Sequence, residues 1–95
     1  MRAYELVFIV HPDLDETAFK DVVDRIRGWI VDGDGTVEKV DLWGKRKLAY
    51  PIRNQLEGQY VLMHTLMAPA FCGQLERNLR LLEPVLRHLV TQKES

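Results

Sequence analysis

Tyr4, Leu6, Phe8 and Val10 alternate with Ala3, Glu5, Val7 and Ile9, the two-residue period of a strand with one wholly apolar face. His11-Pro12-Asp13 breaks that run. Asp13 with Glu16 three residues on predicts a capping box, with Asp15 as an alternative cap. Phe19, Val22, Val23, Ile26 and Ile30 then recur at helical spacing, one apolar stripe on an acidic helix. Gly28 inside that helix costs about 1 kcal/mol relative to alanine. Asp32-Gly33-Asp34-Gly35 ends the helix and turns the chain.

Thr36 to Trp43 is a second extended segment, continuing past Gly44 to Ile52. Asn54 to Gly58 is predicted as a hairpin loop, and Gln59 to Met67 as a third strand, apolar on both faces. Val61, Met63, Thr65 and Met67 share one of those faces; Tyr60, Leu62, His64 and Leu66 share the other. Pro69 suits the first turn of a second helix, whose stripe is Phe71, Leu75, Leu79 and Leu82. Glu83-Pro84 closes it, because a residue before proline avoids the helical region. Val85 to Gln92 is a last strand, and Lys93-Glu94-Ser95 is expected to fray. There is no repeat, linker or low-complexity stretch, so residues 1–95 are expected to be one domain.

The order is βαββαβ. Two strand-helix-strand units with right-handed crossovers give an α+β fold, the ferredoxin-like split βαβ sandwich. Its four-stranded antiparallel sheet, ordered 4-1-3-2, carries both helices on one face. The second strand then lies at an edge. Pro51 fits that position, since it removes a ladder donor.

The second strand also holds the most distinctive stretch, Trp43-Gly44-Lys45-Arg46-Lys47-Leu48-Ala49-Tyr50-Pro51-Ile52-Arg53, with four of the chain's 13 Lys/Arg and no acid. Arg46, Leu48, Tyr50 and Ile52 point one way, and Lys45, Lys47, Ala49 and Pro51 the other. Gly44 after a bulky Trp43 suggests a bulge. Charges on an edge strand have a plain use, since they block strand-to-strand aggregation. They also suit a ribbon that binds phosphates, with aromatics to stack or anchor.

Composition narrows the choice of chemistry. The formal charge is −1, with 46% hydrophobic and 28% charged residues, so any polyanion must be met by local clustering. Residues 13–34 hold seven acids against Lys20, Arg25 and Arg27, which would turn the first helix away from a polyanion. One cysteine, Cys72, allows no intrachain disulfide and fits a reducing compartment. Leu6 to Val10 is too short for a signal-peptide core or a membrane span, which predicts a cytoplasmic protein.

His11, His64 and His88 have no Cys or carboxylate at ligand spacing. Asp13/Asp15 and Asp32/Asp34 sit where aspartates cap and turn. No phosphate loop, nucleophile elbow or zinc motif is present, and the third strand lacks the aromatic consensus of an RNA-recognition motif. No catalytic residue, metal, cofactor or small-molecule substrate is expected. The helix-free sheet face should instead expose Val7, Ile9, Tyr60, Leu62 and Leu66, adjacent across two strands, a pattern that marks a partner surface.

Arg2-Ala3-Tyr4-Glu5, Gly44-Lys45-Arg46-Lys47-Leu48-Ala49-Tyr50-Pro51-Ile52 and Leu79-Arg80 together resemble the bacterial small-subunit ribosomal protein six family over essentially the whole chain. The resemblance implies a non-enzymatic ferredoxin-like protein. It would bind the central domain of small-subunit rRNA together with ribosomal protein eighteen, on the subunit platform. It places Arg2, Lys45, Arg46, Lys47 and Tyr50 on the rRNA- or partner-facing surface, with Arg80 and Arg87 as further RNA contacts.

Each has a structural reading beside the functional one. Arg2 could reach a phosphate or be a solvated terminal charge. Tyr50 could stack on a base or be core with its hydroxyl at the rim. Arg80 could answer the negative end of the second helix. Trp43 reads as core or bulge packing. A different class is also consistent with the apolar face: a small dimeric α+β-barrel protein, enzyme or ligand sensor, closing two open faces around a pocket that would use His64. That alternative leaves the basic edge unexplained.

Overall fold

Six elements follow one another as β1 (Arg2–Val10), α1 (Glu16–Asp32), β2 (Thr36–Ile52), β3 (Gln55–Met67), α2 (Pro69–Leu81) and β4 (Val85–Gln92) in the computed structural model, which describes residues 1–93. One sheet, ordered β2-β3-β1-β4, has every neighbouring pair antiparallel. This is the order the crossovers require, and β2 is an edge.

The core lies between the sheet and both helices. Leu6, Phe8 and Val10 of β1 and Val61, Met63 and Met67 of β3 have no exposed surface, and neither do Ile26, Ile30 and Leu75 from the helices above them. Fully burying one such side chain stabilises by about 1.5–3 kcal/mol. Thr65 is buried on the same face and donates its hydroxyl to the Tyr4 carbonyl at 3.4 Å.

Asp15, rather than Asp13, caps α1. It directly precedes the first helical residue, and its carboxylate accepts the Ala18 N–H at 2.8 Å. The Asp13 N–H is used otherwise, donating to His11 Nδ1 at 3.1 Å. At the other end the N–H groups of Gly33, Asp34 and Gly35 satisfy the carbonyls of Trp29, Val31 and Ile30. Nothing lies within 4 Å of a β-carbon placed on Gly28. Gly28→Ala is therefore expected to add about 0.8–1 kcal/mol and raise the melting temperature by roughly 4–8 °C. A thermal melt showing no rise would mean the helix is strained there.

The hairpin between β2 and β3 departs from expectation. Its loop is two residues, Arg53 and Asn54, with φ of 48° and 64°, the left-handed pair of a type I′ turn. Gln55 to Gly58 belongs to β3. Gly58 suggests a turn in the sequence, but its function is close approach: a β-carbon there would stand 2.2 Å from Ile9 Cγ2. Asn adopts positive φ readily and Arg only rarely. Arg53 is held by its side chain, which donates to the Glu83 carbonyl at 2.8 Å.

The predicted bulge is present: the β2–β3 register shifts between Leu42 and Gly44, where Gly44 has φ of 80°. A larger shift separates Lys47 from Ile52, so that Leu48 to Pro51 stand against Leu56 alone. The slack lets the end of β2 curl over the helix-free face. There Leu48 packs with Ile9 and Leu86 in a second small cluster, joined by Ile52 and Tyr60. The expected fraying at 93–95 does not begin at Lys93, whose N–H donates to the Ala3 carbonyl at 2.8 Å; Glu94 and Ser95 lie outside the described residues.

Candidate RNA and partner interface

Lys45, Arg46 and Lys47 stand opposite Gln59, Gly58 and Glu57 on β3, and all three are exposed. None reaches a carboxylate within 4.0 Å among the described residues, where the ion pairs are Lys39–Asp41 and the two contacts of His64. Cations left unneutralised on a rigid strand suit a polyanion. The Arg46 guanidinium lies 5.2 Å from the centre of the Trp43 ring. Trp43 in turn stacks on Tyr60, 6.3 Å between centroids and 14° between planes. Trp43 is 41% exposed, so it is a surface aromatic and not core; it packs at the bulge, against the residue that pairs with Gly44.

Tyr50 is also outside the core, at 55% exposed. Its hydroxyl accepts a hydrogen bond from Arg87 Nη1, and the Arg87 guanidinium lies 5.8 Å from its ring centre. Contacts of Arg46 with Trp43, Leu48 with Ile9 and Tyr50 with Arg87 put all three β2 side chains on the helix-free side, as their alternation required.

Arg80, in the last turn of α2, comes together with Arg87, His88 and the hairpin's Arg53 around one concavity. Burial holds the His88 imidazole below its ordinary pKa, against the pull of Glu76 and with a further push from Arg80. Arg2 is not part of this grouping. It pairs with Met67, whereas Val10 and Lys45 both pair with Gln59. Eight residues of strand, about 26 Å, therefore separate it from the basic run.

On the helix-free face Val7 pairs with Leu62, Ile9 with Tyr60 and Ala3 with Leu66. Val7, Tyr60, Leu62 and Leu66 are half-buried. Ile9 is not part of the open surface: it is 7% exposed, under Leu48 and Leu86. Leu89, 59% exposed and paired with Val7, extends the patch. Its alternation on β4 with half-buried His88 and Val90 was the signal that could have found it.

A polar strip crosses the same face. His64 Nδ1 lies 4.0 Å from Glu5 Oε1 and its Nε2 lies 3.7 Å from Asp41 Oδ2, which ties β1, β3 and β2. His64 Nδ1 is buried without a hydrogen-bond partner. Sequence spacing hid this grouping, because the three residues meet only across the sheet. Among the described residues no three His, Cys, Asp or Glu are grouped to hold a metal ion. None of their helices is long and apolar enough to cross a membrane.

A split βαβ sandwich with a basic edge, exposed stacked aromatics and an uncovered apolar face has the surface features of a class of small binding modules. Residues 3–92 match the family model described as Ribosomal protein S6, and the chain belongs to that family. It is 42% identical over 95 residues to small ribosomal subunit protein bS6 of Clostridium perfringens, with all of both chains covered. The bS6 protein of Clostridium kluyveri is 43% identical over 95 residues, again all of both chains. That of Clostridium botulinum is 44% identical over 94 residues, 99% of this chain and 100% of its own. The crystal structure of 30S ribosomal protein S6 from Thermotoga maritima superposes with a TM-score of 0.92 at 28% identity, covering 97% of this chain and 87% of that one. The family consists of non-enzymatic, cytoplasmic proteins of the bacterial small ribosomal subunit.

Proposed function

We propose that the protein binds the central domain of small-subunit rRNA as a structural component of the subunit, paired with ribosomal protein eighteen. The observation that carries this reading is the exposed run Lys45-Arg46-Lys47 on the edge strand, free of carboxylate partners among the described residues. Bound counterions leave an RNA backbone when such cations replace them, and this release supplies much of the affinity. The half-buried patch of Val7, Tyr60, Leu62 and Leu66 serves the protein partner, because apolar surface gains most where another protein covers it. Tyr50 and Arg87 act as one unit beside the basic run, while Arg2 would touch RNA or partner separately, from the far end of the sheet.

Binding of a central-domain rRNA transcript, measured across a salt series with and without ribosomal protein eighteen, tests the proposal. The logarithm of affinity is expected to fall linearly with the logarithm of salt, with a slope of at least about −2 to −3 for three phosphate contacts. Binding should also be tighter with the partner than without. A flat salt response would remove the basic edge from the interface.

A further inference from the structure

We infer that docking of a protein on the helix-free face is proton-linked: His64 takes up one proton as the partner closes over it and forms an ion pair with Glu5. The inference rests on the partner-docking reading above and adds the charge state that docking requires.

On that face β1 and β3 present three parallel rows. Ala3 and Leu66 form one, Glu5 and His64 the next, and Val7 and Leu62 the third, each a cross-strand pair. Neighbouring rows on one face lie about 7 Å apart, so the polar row is bracketed by apolar ones. A partner resting on both Leu62 and Leu66 therefore also covers His64 and Glu5. Their side chains are 21% and 35% exposed, so docking removes water that still reaches them.

The charged groups facing His64 come from the two flanking strands. From β1, Glu5 Oε1 lies 4.0 Å from Nδ1; from β2, Asp41 Oδ2 lies 3.7 Å from Nε2. Lys39, paired with His64 on β2, holds Asp41 Oδ1 at 3.6 Å. On its own strand His64 is flanked on this face by Leu62 and Leu66, and beyond Glu5 on β4 stands Thr91. Lys93, two residues further on, is exposed and reaches no carboxylate within 4.0 Å among the described residues.

This arrangement leaves one charge unanswered. Asp41 has Lys39, but Glu5 has no cation within 4.0 Å among the described residues unless His64 carries one. His64 Nδ1, on the Glu5 side, is buried without a hydrogen-bond partner. Neutral imidazole has a single N–H and cannot donate toward both carboxylates, whereas the imidazolium has two. Water screens the deficit in the free protein. Under an apolar cover, a carboxylate without a counter-charge is strongly unfavourable. One proton on His64 corrects both faults. It turns Nδ1 into a donor facing Glu5, and it sets Lys39 and His64 against Glu5 and Asp41, a strip of zero net charge. Both His64 contacts are longer than a hydrogen bond, which leaves them room to tighten. Histidine is the side chain suited to this exchange near neutral pH.

The test is calorimetric titration of ribosomal protein eighteen into the protein at pH 7.5, in phosphate and in Tris. The two buffers release protons with very different heats, so the difference in binding heat counts the protons taken up. The unaltered protein is expected to take up about half to one proton more than His64→Gln, a comparison that cancels protons bound by the partner. Relative to that variant, its affinity should rise roughly five- to tenfold between pH 8 and pH 6.5. Glu5→Gln should lose most of the same uptake, yet bind at pH 8 at least as tightly as the unaltered protein, because no carboxylate is left to bury. Both substituted side chains lie outside the core. Equal proton counts for the unaltered protein and His64→Gln, with weaker binding of Glu5→Gln at every pH, would show that the partner brings its own cation to Glu5. That result overturns the proton link and leaves the docking face in place. Leu62→Asp separates the two readings, since it should weaken docking roughly tenfold or more. If it binds as well as the unaltered protein, or if the unaltered protein does not bind the partner, both fall together.

Discussion

Replacing Lys45, Arg46 and Lys47 together by glutamate is expected to lower affinity for central-domain rRNA by roughly 100-fold or more at moderate salt, taking about 1 kcal/mol for each lost phosphate contact and adding repulsion. The fold should persist. All three side chains are exposed on an edge strand and belong to no ion pair among the described residues. Two structural costs are identifiable. Arg46 leaves the Trp43 ring, worth about 0.5–1 kcal/mol at an exposed site. Glutamate at 47 would face Glu57 directly across the ladder, a like-charge pair costing about 0.2–1 kcal/mol. Titration of the transcript separates the two effects from a melt of the free protein: binding collapses while unfolding shifts by only a few degrees. Unchanged binding would mean that these charges only keep the edge from pairing with other chains.

Phe8→Ala acts on the other side of the sheet and by another mechanism. Phe8 has no exposed surface and lies on β1, the inner strand flanked by β3 and β4, within the cluster that α1 and α2 cover. Removing the ring leaves a cavity that helices tied to both ends of the sheet cannot fill, so the loss should be about 3–5 kcal/mol. Domains of this kind hold about 5–15 kcal/mol in all, and the melting temperature should fall by more than about 12 °C. Urea unfolding gives the value directly. A loss under about 1 kcal/mol would show that the core repacks around the gap.

The two variants also mark which parts of the molecule were readable from its residues. The Phe8 environment was: strict alternation from Tyr4 to Val10 and the stripe Val22, Val23, Ile26, Ile30 follow from the periods of strand and helix. Edge placement of β2 followed from Pro51 and the bulge from Gly44, both backbone constraints that act locally. What could not be read depended on contacts between distant residues. Gly58 suggests a turn unless Ile9 is known to lie against it, and Arg53 gives no sign of positive φ until Glu83 supplies its anchor. Ile9 belongs by alternation to the open surface, yet the slack after Lys47 brings Leu48 over it. His64 looked isolated because Glu5 and Asp41 come from other strands. The candidate cations were likewise legible as residue types but not as groups: Arg80 and Arg87 border one concavity, while Arg2 stands apart.

The sheet order has a consequence for how the chain is made. β1 lies between β3 and β4, so Tyr4 pairs with Thr65 on one side and Gln92 on the other. The first strand to leave the ribosome during synthesis is therefore the last to gain both neighbours. Until β4 has emerged, one hydrogen-bonding edge of β1 has no partner, and loop-closure entropy must be met before those distant pairings return anything. A nascent chain of this topology waits for its C-terminal strand, and a truncation inside β4 would leave the central strand with an open flank.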